Sequence, residues 1–155
     1  MELFQTWDTG QALSHLLALM VAYALALPIG WNREKEERSA GLRTFPLVAM
    51  AACGFVLIAR EVLLSDTTAQ SHLMAGLMTG IGFIGGGAIL KQGDRARGTA
   101  TAASLWATGA IGAAVGYGHL DIAVILSLVT VLTLSLLAPL IRVAHEKSVL
   151  DTDDV

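Results

Sequence analysis

Charge is what this chain has least of. Asp, Glu, Lys and Arg make up 15% of its 155 residues, against about 25% in an average globular protein. They sit in short clusters between long uncharged runs, whereas a soluble fold of this size scatters charge over its surface. Hydrophobic residues reach 54%, above the roughly 45–50% of globular proteins, which excludes an ordinary soluble domain. There is a single cysteine, Cys53, so no disulfide framework can form within the chain. Inside an apolar run, that thiol reads as a small packing residue. Catalytic constellations are missing as well. There is no HExxH, no paired CxxC and no nucleophile elbow, and Ser104 has no histidine near it in sequence. His15 reads as an interfacial residue, and His72, His119 and His145 show no ligand spacing. No enzyme activity, no cofactor and no nucleic-acid partner is expected.

What the chain does have is apolar length. A helix needs about 20 mostly apolar residues to cross roughly 30 Å of hydrocarbon. Five runs qualify or come close: Ala12–Trp31, Phe45–Leu64, Leu73–Leu90, Thr99–Gly116 and Ile122–Ile141. The third is short and glycine-rich, and the fourth is rich in Ala, Gly and Thr. Small residues add little transfer energy, so these two could instead form a buried hairpin shielded by the other helices. The expected fold is an all-α polytopic membrane helix bundle of about five spans. It forms one transmembrane domain over residues 1–155, with a short cytoplasmic tail at 143–155. That tail is read as helical at its start and disordered at its end.

Basic residues set the orientation. Arg33, Lys35, Arg38 and Arg43 lie between spans one and two, and Lys91, Arg95 and Arg97 follow span three. Arg142 and Lys147 lie in the tail. Met1–Gln11, Ser65–His72 and Tyr117–Asp121 carry no Lys or Arg. The N-terminus is therefore expected outside and the C-terminus in the cytoplasm. Arg60 alone breaks the alternation, and is expected to snorkel or to pair with Glu61. Ala22-Tyr23-Ala24 resembles a signal-peptidase site. Met1–Gln11 lacks the basic n-region such a signal needs, so no cleavage is expected.

The third span contains Gly80-x-Gly82-x-x-Gly85, the spacing of a dinucleotide-binding loop. Here it lies inside an apolar run, and Leu105 stands where an acid should follow, so nucleotide binding is rejected. Close helix packing fits better. Gly76 and Gly80, like Gly82 and Gly86, are one turn apart, and the fourth span offers Gly109 and Gly112. Spans three and four are expected to pack tightly through these glycines, within one chain or across a dimer. The run Gly85-Gly86-Gly87 weakens a helix. A break there would need protein or water to cover it, as in discontinuous transporter helices.

In the first basic loop, Arg33 with Glu37 and Glu34 with Arg38 are four residues apart, which supports a helical extension of span one. Gly41 would end it, and Pro46 fits the first turn of span two. Glu34, Glu37 and Asp94 could gather around a hard cation such as magnesium, although nearby bases lower the negative potential. Arg33 and Arg43 could bind a phosphate head group or a partner's carboxylate. A solvated, self-paired loop is the plain alternative. Thr99, Thr101 and Ser104 could cap span four or bond across helices. Ser127, Thr130, Thr133 and Ser135 can back-bond within span five, and Pro139 is expected to kink or end it.

Three separated segments resemble one family. Ile29-Gly30-Trp31-Asn32-Arg33-Glu34 with Ala40-Gly41-Leu42-Arg43-Thr44 is similar to the first cytoplasmic loop of the MgtC/SapB membrane proteins. The run from Gly80 to Ile89 resembles their glycine-rich span. Thr101-Ala102-Ala103-Ser104-Leu105-Trp106 with Gly109-Ala110-Ile111-Gly112 resembles their fourth span. The resemblance runs from Leu17 to Gly118. Asn32 stands where the family commonly has Glu, Phe45 where it has His, and Thr99-Ala100 where a Leu-Thr or Ile-Thr pair is frequent. The best-known members carry a soluble C-terminal domain, and this chain reads as a short member without it.

The resemblance implies a multi-pass protein of the bacterial inner membrane, linked to growth in low magnesium and to virulence. It implies regulation by contact with another membrane protein, such as the F-type ATP synthase. The alternative is a divalent-cation (magnesium) transporter or channel, and a purely structural subunit is a third reading. The candidate partner or ion residues are Arg33, Glu34, Gly41, Arg43, Thr44, Asp94 and Ser104. Metal ligands are not assigned. The expected surroundings are the lipid bilayer and further copies of the chain in a homo-oligomer.

Overall fold

The computed structural model describes residues 8–35, 40–63, 66–92 and 95–153, with side chains at 8–35, 40–63, 66–91 and 96–137. In chain order the elements are α1 (Thr9–Lys35), α2 (Thr44–Leu63), α3 (Thr67–Gly87), β1 (Leu90–Gln92), β2 (Arg95–Arg97), α4 (Thr99–Tyr117) and α5 (Leu120–Asp153). This is the expected all-α bundle, with one helix for each apolar run. Three helices are long and apolar enough to cross a membrane: α1, α2 and α5 over Leu120–Leu137. Their outward faces carry Leu13, Leu17, Ile58, Ile125 and Leu128, all more than half exposed, as a surface meant for lipid would.

The weak hydropathy of α4 has a packing cause. It touches each of the other four helices, and ten of its 19 residues are buried. A helix that faces protein needs small residues rather than transfer energy. A methyl group on Gly112 would strike the Ala49 carbonyl oxygen, and one on Gly116 would lie 2.9 Å from the Cys53 carbonyl oxygen. The backbones of α2 and α4 therefore lie almost in contact. Around this seam sits the core, with Ala22, Ala26, Ile29, Phe45, Ala49, Val56 and Ile111 fully enclosed. Cys53 is fully enclosed too, as a packing residue should be.

The glycine face of α3 behaves differently from expectation. Of its residues only Ile81 and Gly85 are buried. The α3–α4 contact runs through Gly85, where an added Cβ would lie 3.2 Å from the Ala102 carbonyl oxygen, and through Ile81, which fills the notch at Gly109. Gly76, Gly80, Gly82 and Gly86 have nothing within 4 Å of an added Cβ. Among the described residues they meet no packing partner, and Gly112 packs on α2 rather than α3. Sequence spacing marks a small-residue face but does not say which neighbour meets it. The shielded-hairpin alternative describes α4 and not α3.

Helix ends also differ. α3 begins at Thr67 instead of Leu73, because Asp66 caps it by accepting a hydrogen bond from the Ala69 amide at 2.9 Å. It runs unbroken through Gly85 and Gly86 and ends at Gly87, so the glycine run is a terminus and not an internal break. Beyond it, where the span was expected to reach Leu90, the chain forms an antiparallel ribbon pairing Leu90 with Arg97 and Lys91 with Ala96. Gly98, at φ +90°, turns this ribbon into α4, and a side chain there would also strike the Ala88 carbonyl. α5 does not end at Pro139 but continues to Asp153, through most of the expected tail.

Polar side chains bind helix to helix. Arg60 donates from Nη1 to the Gly116 carbonyl at 2.9 Å instead of pairing with Glu61, and so satisfies a carbonyl at the C-terminal end of α4. Glu61 instead ties α2 to α1, accepting from Gln11 at 2.8 Å and meeting His15 Nε2 at 3.1 Å. Ser127, expected to bond within its own helix, donates across to the Leu25 carbonyl at 2.7 Å. Thr133 does back-bond, to the Val129 carbonyl at 2.8 Å.

Candidate functional site

The resemblance motif folds into a clasp where α1 hands over to α2. α1 runs past Trp31 to Lys35, as the helical extension predicts. Glu37 and Arg38, the partners expected to support that extension, lie outside the described residues. Glu34 instead reaches the next segment, its Oε2 accepting from the Leu42 amide at 3.0 Å. The Glu34 carboxylate fills the space that a side chain at Gly41 would need. Gly30 is pressed on the same segment, its missing Cβ only 3.2 Å from the Gly41 carbonyl oxygen and from Leu42 Cα. The Gly41 carbonyl in turn accepts from the Thr44 and Phe45 amides at 3.0 and 3.2 Å, and so starts α2. Gly30 and Glu34 thus both close on the Gly41–Leu42 segment, Gly30 by its lack of a side chain and Glu34 by a carboxylate that only a glycine at 41 leaves room for.

A second latch adds α5. Arg33 is buried, 4% exposed, and donates from Nη2 to Asn32 Oδ1 at 2.6 Å. Asn32 donates from Nδ2 to Ser135 Oγ at 3.2 Å. Ser135, expected to serve its own helix, therefore holds the Asn32 side chain. Lys35 lies over the exposed Trp31 ring at 5.2 Å, a cation–π pair of the kind that suits a membrane boundary.

Arg43 and Thr44 face elsewhere. They line the end of a cavity of about 760 Å³ between α2 and α3, whose remaining wall is apolar. Ser104 belongs to neither group; it is buried in α4 and donates to the Thr101 carbonyl at 3.0 Å, while Thr108 donates to the Ser104 carbonyl at 2.8 Å. Asp94 lies outside the described residues. The motif residues therefore divide into a clasp (Glu34, Gly41), the α5 latch (Arg33), a cavity mouth (Arg43, Thr44) and a buried helix face (Ser104). Among the described residues, no three His, Cys, Asp or Glu side chains converge as metal ligands. Sequence reasoning overlooked Gly30 as part of the clasp, although Gly30 next to Trp31 at a span end was a signal for close backbone approach. It also overlooked the cavity, which only the splay of α3 reveals.

Comparison with known proteins gives a consistent answer. The sequence profile described as the MgtC family matches residues 19–143. An uncharacterized protein of Synechocystis is 39% identical over 125 residues, covering 81% of this chain and 53% of that protein. Protein MgtC of Brucella abortus is 37% identical, covering 84% of this chain and 55% of its own length. Protein SrpB of Synechococcus elongatus is 35% identical, covering 81% and 76%. The chain spans about half the length of the first two relatives. No solved structure matches.

Proposed function

The chain belongs to the MgtC family, and from that premise we propose that it is a regulatory protein of the bacterial inner membrane. It acts in adaptation to low magnesium by lateral contact with another membrane protein, with the F-type ATP synthase as the partner the resemblance points to. The observation that carries this reading is the outer face of α3. Gly82 and Gly86 stand open beside Phe83, which is 85% exposed, and among the described residues nothing lies within 4 Å of a Cβ added at either glycine. In a bilayer, association of helices depends on close backbone approach and not on hydrophobic driving force. A small-residue face left open by its own bundle, flanked by an aromatic ring, suits the reception of a foreign helix. The positive-inside distribution puts the clasp and the ribbon in the cytoplasm. Cation transport is less well supported, since among the described residues no carboxylate lines the cavity and Glu34 is committed to the Leu42 amide.

The test is ATP-driven proton pumping in inverted bacterial membrane vesicles, with and without the protein. The expected result is reduced pumping, restored by Gly82→Leu, a variant that should keep the wild-type melting temperature because no atom of the described residues lies within 4 Å of a Cβ there. Unchanged pumping with the wild-type chain would overturn the ATP synthase reading and bring magnesium flux in proteoliposomes forward.

A further inference from the structure

The cavity between α2 and α3 has a polarity that the regulatory reading does not use. Its α2 wall is formed by Leu47, Ala51 and Phe55, and its α3 wall by Gly76, Gly80 and Ile84. Leu47 and Phe55 are each more than half exposed, so the cavity is a cleft that opens sideways along the bundle. At about 760 Å³ it lies within the roughly 300–1,000 Å³ of built small-molecule sites. α2 and α3 are joined by a short connection and run antiparallel, so the start of α2 and the end of α3 share one end of the bundle. Arg43 and Thr44 stand at that end of the cleft.

Arg43 is exposed, and among the described residues it has no hydrogen bond and no ion pair. Among the described residues, no Asp or Glu lines the cleft to neutralise it. The first amides of α2 are already taken by the Gly41 carbonyl, so an anion here would be held by the guanidinium and the Thr44 hydroxyl. A guanidinium matches phosphate oxygens in a two-pronged geometry. Basic positions between transmembrane helices at a bilayer boundary are sites for anionic head groups.

We propose that this cleft binds one anionic phospholipid, with its phosphate on Arg43 and Thr44 and an acyl chain lying between α2 and α3. The glycines at 76 and 80 are what make room for the chain. Neither has an atom within 4 Å of an added Cβ, so they serve as clearance instead of contact. A cation at one end and an uncharged apolar slot at the other complement an amphipathic anion. A second helix would leave Arg43 without a counter-charge. The proposal stands apart from the regulatory reading, because Gly82 is not part of the cleft wall.

The full chain, purified in a neutral detergent, is offered phosphatidylglycerol or phosphatidylcholine at equal concentration and weighed by native mass spectrometry. One phosphatidylglycerol per chain is expected, preferred about fivefold, as a single base near an anionic group implies. Arg43→Gln should bring that preference to about one while phosphatidylcholine retention stays unchanged, and Arg97→Gln should leave it intact. Gly80→Leu should lower occupancy by both lipids at an unchanged melting temperature; Ala51→Leu, on the opposite wall, serves if that variant does not fold. A preference that survives Arg43→Gln, or full occupancy in both filled variants, would overturn the proposal. So would displacement of the lipid by excess inorganic phosphate. A lipid-free wild-type dimer that Gly80→Leu dissociates would assign the cleft to a second copy and also overturn it.

Discussion

Two glycines that look alike in sequence should respond in opposite ways to the same added methyl group. At Gly112 the methyl would meet the Ala49 carbonyl oxygen, with the Ala49 carbonyl carbon at 2.8 Å and Cα at 3.0 Å. These are backbone atoms of α2 and cannot rotate aside, so the two helices must separate along the tightest seam of the core. Overpacking of this kind costs typically about 1–3 kcal/mol, and the rigid neighbour argues for the top of that range. Replacing Gly by Ala inside a helix returns about 0.5–1 kcal/mol. Gly112→Ala should therefore destabilise by about 2 kcal/mol, close to a 30-fold loss in the folded-to-unfolded ratio. Gly80→Ala meets nothing within 4 Å and keeps only the helix gain, so it should be neutral or stabilising by about 0.5–1 kcal/mol. Reversible unfolding in mixed micelles, titrated with a denaturing detergent, measures both. Equal stability of Gly112→Ala and wild type, or comparable losses in both variants, would refute the assignment of α4 as hub and α3 as splayed helix.

Three further outcomes follow from the same geometry. Glu34→Ala should cost about 1 kcal/mol by releasing the Leu42 amide, and Gly41→Ala a similar amount by expelling the same carboxylate. Because both break one contact, the double variant should lose less than the sum, which a double-mutant cycle in the unfolding assay reads. Arg60→Gln should fray the C-terminal turn of α4, seen as faster hydrogen exchange at the Gly118 and His119 amides with the rest of the helix unchanged. Gly98→Ala should cost at least about 1–2 kcal/mol, because a side chain is disfavoured at φ +90° and would also strike the Ala88 carbonyl.

Element identity was legible because each helix rests on a local signal. Apolar length marked α1, α2 and α5, and small-residue composition marked α3 and α4 as different from them. What periodicity does not carry is the choice of neighbour. Gly76, Gly80, Gly109 and Gly112 are equivalent as spacing, yet two face open space, one faces Ile81 and one faces Ala49. The same limit applies to charge. Arg60 beside Glu61 reads as a pair, but on a helix adjacent residues point apart, and each found a partner on another helix. In the motif, Glu34 and Gly41 were legible as important and not as a contact, since their tie depends on the Gly41–Leu42 segment packing back against the last turn of α1. The extension of α3 to Thr67 was available from Asp66, an ordinary N-cap residue, but a search for apolar length passes over the polar first turn.

The central claim is lateral contact through the outer face of α3, and site-specific photo-crosslinking in native membranes tests it most directly. A photoreactive residue in place of Phe83 should yield a crosslink to a membrane subunit of the ATP synthase, identified by mass. The same probe at Ile125, an exposed position on α5, should not. Crosslinks to the same proteins from both positions, or from neither, would contradict the claim that this face of α3 is where the protein acts.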